Sequence, residues 1–303
     1  MAHDVTSILC ALDFSEGSGA ALVRAADLAE RFHARLVLLY VDPLFRAPAG
    51  ATPTPGRPDA ALQERMRAFA EKALGSAGAV AVVDPEGVIR RGEYAADAIL
   101  RQRDELEAGL VVLRTHGRRG VRRLLIGSVA EEVVRRAPCP VLVVPNASAR
   151  TGAGPDAPVL VPVDFSEHTD ETLDWAARMA DLFDAPVELL HVVEPVAPMP
   201  AFYSDVVGPM AYDMTALVEG SDAQLAALAD GLDADTQTQT QVGAAHVAIV
   251  EAARTRGAGL IVMATRGLTG LAHVALGSVA ERTLRQAPCP VLVVRDATPI
   301  QDP

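Results

Sequence analysis

The residues best placed to do chemistry are two glycine-punctuated segments, each leading into a sequence of helical character. Thr115-His116-Gly117-Arg118-Arg119-Gly120 is followed by Gly127-Ser128-Val129, and Thr265-Arg266-Gly267-Leu268-Thr269-Gly270 by Gly277-Ser278-Val279. A loop of this kind that opens a helix at Ser128 or Ser278 offers backbone N–H groups without intrahelical partners, at the positive end of the helix dipole. Such groups hold phosphate or another anion. The same residues also read as ordinary helix starts, because Ser128 with Glu131 and Ser278 with Glu281 fit a Ser-x-x-Glu capping box. The two readings are compatible, since a cap satisfies some N–H groups and leaves others.

Asp13 and Asp164 each end a short apolar run and precede a helical pattern. Each carboxylate could face a ligand or simply complement the dipole of the helix that follows. Arg118, Arg119, Arg122 and Arg123 form a basic cluster that would attract polyphosphate or sit as a solvated loop. No catalytic constellation assembles. His33, His116, His168, His191, His246 and His273 recur at no shared place in the two halves, and the single lysine, Lys72, belongs to no Walker-type Gly-Lys-Ser/Thr. Turnover is not expected to be central, although slow hydrolysis of a bound polyphosphate, or its phosphoryl transfer to Ser128 or Ser278, stays open. Cys10, Cys139 and Cys289 lack metal-ligand or redox spacing and read as buried reduced thiols.

The formal net charge of -12 works against nucleic acid and anionic membranes as partners. No apolar run approaches the roughly 18 residues of a membrane span. The start, MAHDVTS, has no basic-then-apolar signal, so a cytoplasmic location is expected.

What positions these residues is an internal repeat at an offset of 150 or 151 residues. Asp-Phe-Ser-Glu stands at Asp13 and again at Asp164; Gly-Ser-Val-Ala-Glu at Gly127 and Gly277; Ala-Pro-Cys-Pro-Val-Leu-Val-Val at Ala137 and Ala287. The expected division is a first domain over 1–146, a linker over 147–157 rich in small residues and proline, and a second domain over 158–303. In each copy apolar runs alternate with helical patterns. The expected strands of copy one are Ile8–Leu12, Leu36–Val41, a third near Ala79–Ile89, Leu110–Leu113 and Val141–Val144. In copy two, Val187–Val193, a segment near Thr236–Val242, Leu260–Met263 and Val291–Val294 follow the run before Asp164. Ser15 reads as a helix N-cap. The class is α/β, two tandem doubly wound five-stranded parallel-sheet domains, with ligands expected beyond the carboxyl ends of the strands where strand order reverses.

These residues together resemble the universal stress protein family, twice over and along nearly the whole chain. The resemblance rests on the Asp after strand one, Leu-Leu-x-Val at the end of strand two (Leu38–Val41; Leu189–Val192), a glycine separated by nine residues from Gly-Ser, and the terminal Pro-Cys-Pro-Val-Leu-Val-Val. It implies the adenine nucleotide alpha hydrolase-like fold. It also implies a stress-response role and, in the nucleotide-binding members, ATP with Mg2+ as its usual companion. By that resemblance Asp13 and Asp164 lie against adenine or ribose, and the backbone at Val41 and Val192 reads the adenine edge. Gly117, Gly127, Ser128 and Val129, with Gly267, Gly277, Ser278 and Val279, hold the phosphates. The first glycine of the family's pattern is absent from both copies, being Arg114 in one and Ala264 in the other. Arg114 either fills the cleft or turns to solvent, or reaches across to grip a phosphate; Ala264 is the milder change, so the second domain is the expected ATP site. Pairing of the last strands as an intramolecular pseudo-dimer, and a further homodimer, are implied in the same way. A different function stays open, that of a nucleotide-free interaction protein using the Pro-rich loops Phe45–Pro58 and Pro195–Tyr212.

Overall fold

Short aliphatic runs become strands buried on both faces, as parallel sheets flanked by helices require. The computed structural model describes residues 5–42, 60–76, 86–91, 94–115, 126–145, 155–195, 213–265 and 276–295. In copy one the chain runs β1 (Ser7–Leu12), α1 (Glu16–Phe32), β2 (Arg35–Asp42), α2 (Ala60–Ser76), β3 (Glu86–Arg91), α3 (Ala95–Leu106), β4 (Leu110–Arg114), α4 (Ser128–Arg136) and β5 (Val141–Val144). Copy two repeats this as β6 (Val159–Val163), α5 (Thr169–Phe183), β7 (Val187–Val193), α6 (Met214–Asp230), β8 (Thr236–Val242), α7 (Ala245–Thr255), β9 (Leu260–Ala264), α8 (Ser278–Gln286) and β10 (Val291–Val294).

The ten strands form one sheet in the order β3-β2-β1-β4-β5-β10-β9-β6-β7-β8. Within each copy all pairings are parallel; β5 and β10 pair antiparallel, with Leu142 opposite Leu292. Strand order reverses between β1 and β4, and again between β6 and β9, so each copy has one switch point. The third strand of copy one overlaps the segment expected near Ala79–Ile89. Its described part is Glu86–Arg91, and 79–85 lie outside the described residues.

Two cores flank the sheet, and alternation along each strand distributes side chains between them. Leu142 and Val144 of β5 join Leu22, Trp175 and Leu292 on the face covered by α1, α2, α5 and α6. Val141 and Val143 join Val133, Leu284 and Val291 on the face of α3, α4, α7 and α8. Each fully buried leucine, such as Leu9, Leu22 and Leu160, contributes about 1.5–3 kcal/mol. Both cores contain residues of both copies. Around the boundary, Arg31 Nη1 donates to the Leu182 carbonyl (2.5 Å) and Arg31 Cζ lies 4.5 Å from the Phe183 ring centre, while Arg178 Cζ lies 4.7 Å from that of Phe32. The three cysteines are free and buried, and burial pushes the Cys10 and Cys289 thiols up to about 12. Among the described residues no helix is long and apolar enough to cross a membrane, and no cluster of His, Cys, Asp or Glu could hold a metal ion.

Candidate functional site

Both switch points are entered through the same tight turn. The Asp13 carboxylate Oδ1 accepts from the Ser15 backbone N–H at 3.0 Å, and Asp164 Oδ1 accepts from that of Ser166 at 3.0 Å. Between them, Phe14 and Phe165 take left-handed backbone conformations, φ 61° and 57°. A bulky residue there costs about 1–2 kcal/mol, which packing must offset. Phe14 packs its ring 4.5 Å from that of Tyr40, and Phe165 packs 4.5 Å from His191, whose Nδ1 lies 2.7 Å from the Val163 carbonyl oxygen. Strain of this kind, held in place by surrounding contacts, concentrates at ligand sites. It occurs in both copies and fixes where the two carboxylates sit.

Val41 and Val192 stand near the ends of β2 and β7, both half-buried. Gly127 and Gly277 start the closing helices. Gly127 N–H donates to the Thr115 carbonyl at 2.6 Å, and Gly277 N–H to that of Thr265 at 2.8 Å, tying each helix start to the end of β4 or β9. Ser128 and Ser278 are the first helical residues, with Val129 and Val279 packed on the core behind them. The capping-box reading of Ser128 and Ser278 is therefore corrected. The N-cap residues are Gly127 and Gly277, in extended conformation, and neither helix start has a side-chain cap. The serines sit one position too late to cap, because the glycine N–H groups are drawn back to the strand. The N–H groups of the first turn thus receive no acceptor from the side chain of an N-cap residue. Gly117, Gly267 and the basic cluster Arg118, Arg119, Arg122 and Arg123 lie outside the described residues, as do 45–58 and 196–212.

The Universal stress protein family matches the chain over residues 5–145 and again over 157–295. The chain belongs to the universal stress protein family. A universal stress protein of Methanocaldococcus jannaschii is 34% identical over 155 residues, which cover 50% of this chain and 88% of that protein. One of Mycobacterium bovis is 32% identical over 199 residues, 63% of each chain, so this chain spans under two thirds of that relative's length. A universal stress protein from Archaeoglobus fulgidus shares the fold over 95% of this chain and 96% of its own, with TM-score 0.61 and 20% identity.

As a tandem universal stress protein the chain holds two versions of one site, and they differ. In copy one Ser15 caps α1, its hydroxyl accepting from Ser18 N–H at 3.2 Å and donating to Asp13. Arg114 reaches back from the end of β4, its Nη1 donating to Ser15 Oγ beside the Asp13 carboxylate. Burial pushes the Asp13 pKa up, but the hydrogen bonds from Ser15 and Ser18 and the charge of Arg114 together hold it below the ordinary value. Arg114 is also lowered, since burial costs its guanidinium more than Asp13 returns; the direct bond to Ser15 is the firmer sign of their association. In copy two, α5 starts from His168 with no side-chain cap. Asp164, Ser166, His168, Thr169, Thr172 and Ala264 line a small hollow, partly open to solvent, with room for about one water molecule. Ser166 Oγ and Thr169 Oγ1 are buried and have no hydrogen-bond partner among the described residues.

Sequence reasoning placed the carboxylates and the helix starts but missed Ser15, Ser18, Ser166, Thr169 and His168 as site residues. The signal available was the position after Asp-Phe-Ser-Glu, glycine in one copy (Gly17) and histidine in the other (His168), where an otherwise repeated motif breaks.

Proposed function

We propose that this universal stress protein binds an adenine nucleotide at the strand ends of its second domain and serves as a sensing or regulatory module. The carrying observation is the cavity at Asp164 and Ala264, floored by two buried hydroxyls without protein partners among the described residues. A buried polar group left unsatisfied costs about 1–3 kcal/mol, a cost that a polar ligand removes. The hollow admits a single small polar group of the ligand. The rest lies along the strand ends. There the family pattern assigns the adenine edge to the backbone at Val192 and the phosphates to the amides of Gly277, Ser278 and Val279. Those amides start a nine-residue helix without a side-chain cap, which favours an anion. Mg2+ would accompany a triphosphate through its phosphate oxygens and water.

Two measurements test this. Denaturing the purified protein and identifying released small molecules by mass spectrometry is expected to recover adenine nucleotide. If the preparation is empty, Mg-ATP at a hundredfold excess over its dissociation constant stabilises the fold by about 2.7 kcal/mol. An empty preparation with no thermal shift overturns the proposal.

A further inference from the structure

We propose that the first strand-end cleft is closed from within by Arg114, that Gly17 is what permits the closure, and that the chain therefore carries one nucleotide site rather than two. This rests on the adenine-nucleotide reading above. The repeat aligns Gly17 with His168 and Arg114 with Ala264. Large and small residues have exchanged places between these two positions. In copy one the guanidinium lies directly over the bare backbone of Gly17. A Cβ added there would stand 2.5 Å from Arg114 Cζ, 2.7 Å from Nη2 and 2.8 Å from Nε, all closer than side-chain carbons approach other atoms. A larger residue at 17 would force the guanidinium to shift from this seat.

Seated there, Arg114 completes a hydrogen-bonded group with Ser15, Asp13 and Ser18. Copy two keeps the same turn and the same carboxylate geometry at Asp164. It lacks the arginine, and the hydroxyls matching Ser15 and Ser18, those of Ser166 and Thr169, have no hydrogen-bond partner among the described residues. The first copy satisfies its site with its own side chain; the second leaves the equivalent groups facing a cavity. Arg114 is no phosphate clamp, because gripping a phosphate would take it from Ser15 and Asp13.

Binding stoichiometry tests this on the full chain, by equilibrium dialysis with Mg-ATP. The unchanged protein is expected to bind one nucleotide and Arg114→Ala two. One nucleotide in both overturns the closure and leaves the adenine-nucleotide reading intact, whereas none in either overturns that reading and the closure with it. Two in the unchanged protein, or loss of nucleotide in Arg114→Ala, also overturns the closure. The reciprocal transplant guards against a misfolded first domain. His168→Gly with Ala264→Arg is expected to abolish binding at unchanged circular dichroism. Ala264→Arg alone, its side chain excluded by His168, is expected to weaken binding less than tenfold. If the single variant abolishes binding as fully as the double, the role given to position 17 is wrong.

Discussion

Asp13 shows how a carboxylate becomes a structural part. Its hydrogen bonds with Ser15 and Ser18 and the nearby guanidinium of Arg114 keep it ionised in the fold more readily than in the unfolded chain, despite the opposing effect of burial. A folded pKa below the unfolded value, roughly 3.9, means that the stabilisation is complete above that pH. It is lost as pH falls through the folded value. Acid unfolding followed by circular dichroism between about pH 5 and 2 is therefore expected to be shallower in Asp13→Asn than in the parent chain. Equal slopes would remove Asp13 from the account. The repeated Asp-Phe-Ser-Glu made Asp13 and Asp164 visible in the sequence. The arginine was visible too, but its direction was not: whether Arg114 turns to solvent, fills a cleft or grips a phosphate depends on the bare Gly17 across from it, a contact between residues far apart in the chain.

Apolar runs, and in β8 strict alternation of Thr and Gln, made the strands legible. The aliphatic strands β7, β5 and β10 fall on the residues that their apolar runs mark out, because central parallel strands carry little but Val, Leu and Ile. The third strand of copy one is described over Glu86–Arg91 and overlaps the expected segment near Ala79–Ile89 only at its half-exposed end. The starts of α4 and α8 illustrate a different limit. Ser-x-x-Glu matches a capping box letter by letter, yet the register is set by tertiary hydrogen bonds from Gly127 and Gly277 to Thr115 and Thr265. That correction has a measurable consequence. Ser128→Ala is expected to change stability by less than about 0.5 kcal/mol in denaturant melts, where removal of a true N-cap would cost about 1 kcal/mol. Ser15→Ala, which does remove a cap, is expected to cost at least that much.

At the scale of the whole molecule, the two copies share both cores and one continuous sheet. They are therefore expected to melt together. Calorimetry should give a single transition whose calorimetric and van't Hoff enthalpies agree; two resolved transitions would show that the halves fold independently. Leu292→Asp, at a fully buried position opposite Leu142, is expected to lower the stability of both halves at once. Among the described residues β3 and β8 are the outermost strands, and β8, Thr-Gln-Thr-Gln-Thr-Gln-Val, is uncharged and without proline. The antiparallel meeting of β5 and β10 has a further result. It turns the strands of one half against those of the other, so Asp13 and Asp164 open toward opposite rims of the molecule. The halves stand back to back, and a compact partner at one rim has no simultaneous view of the other.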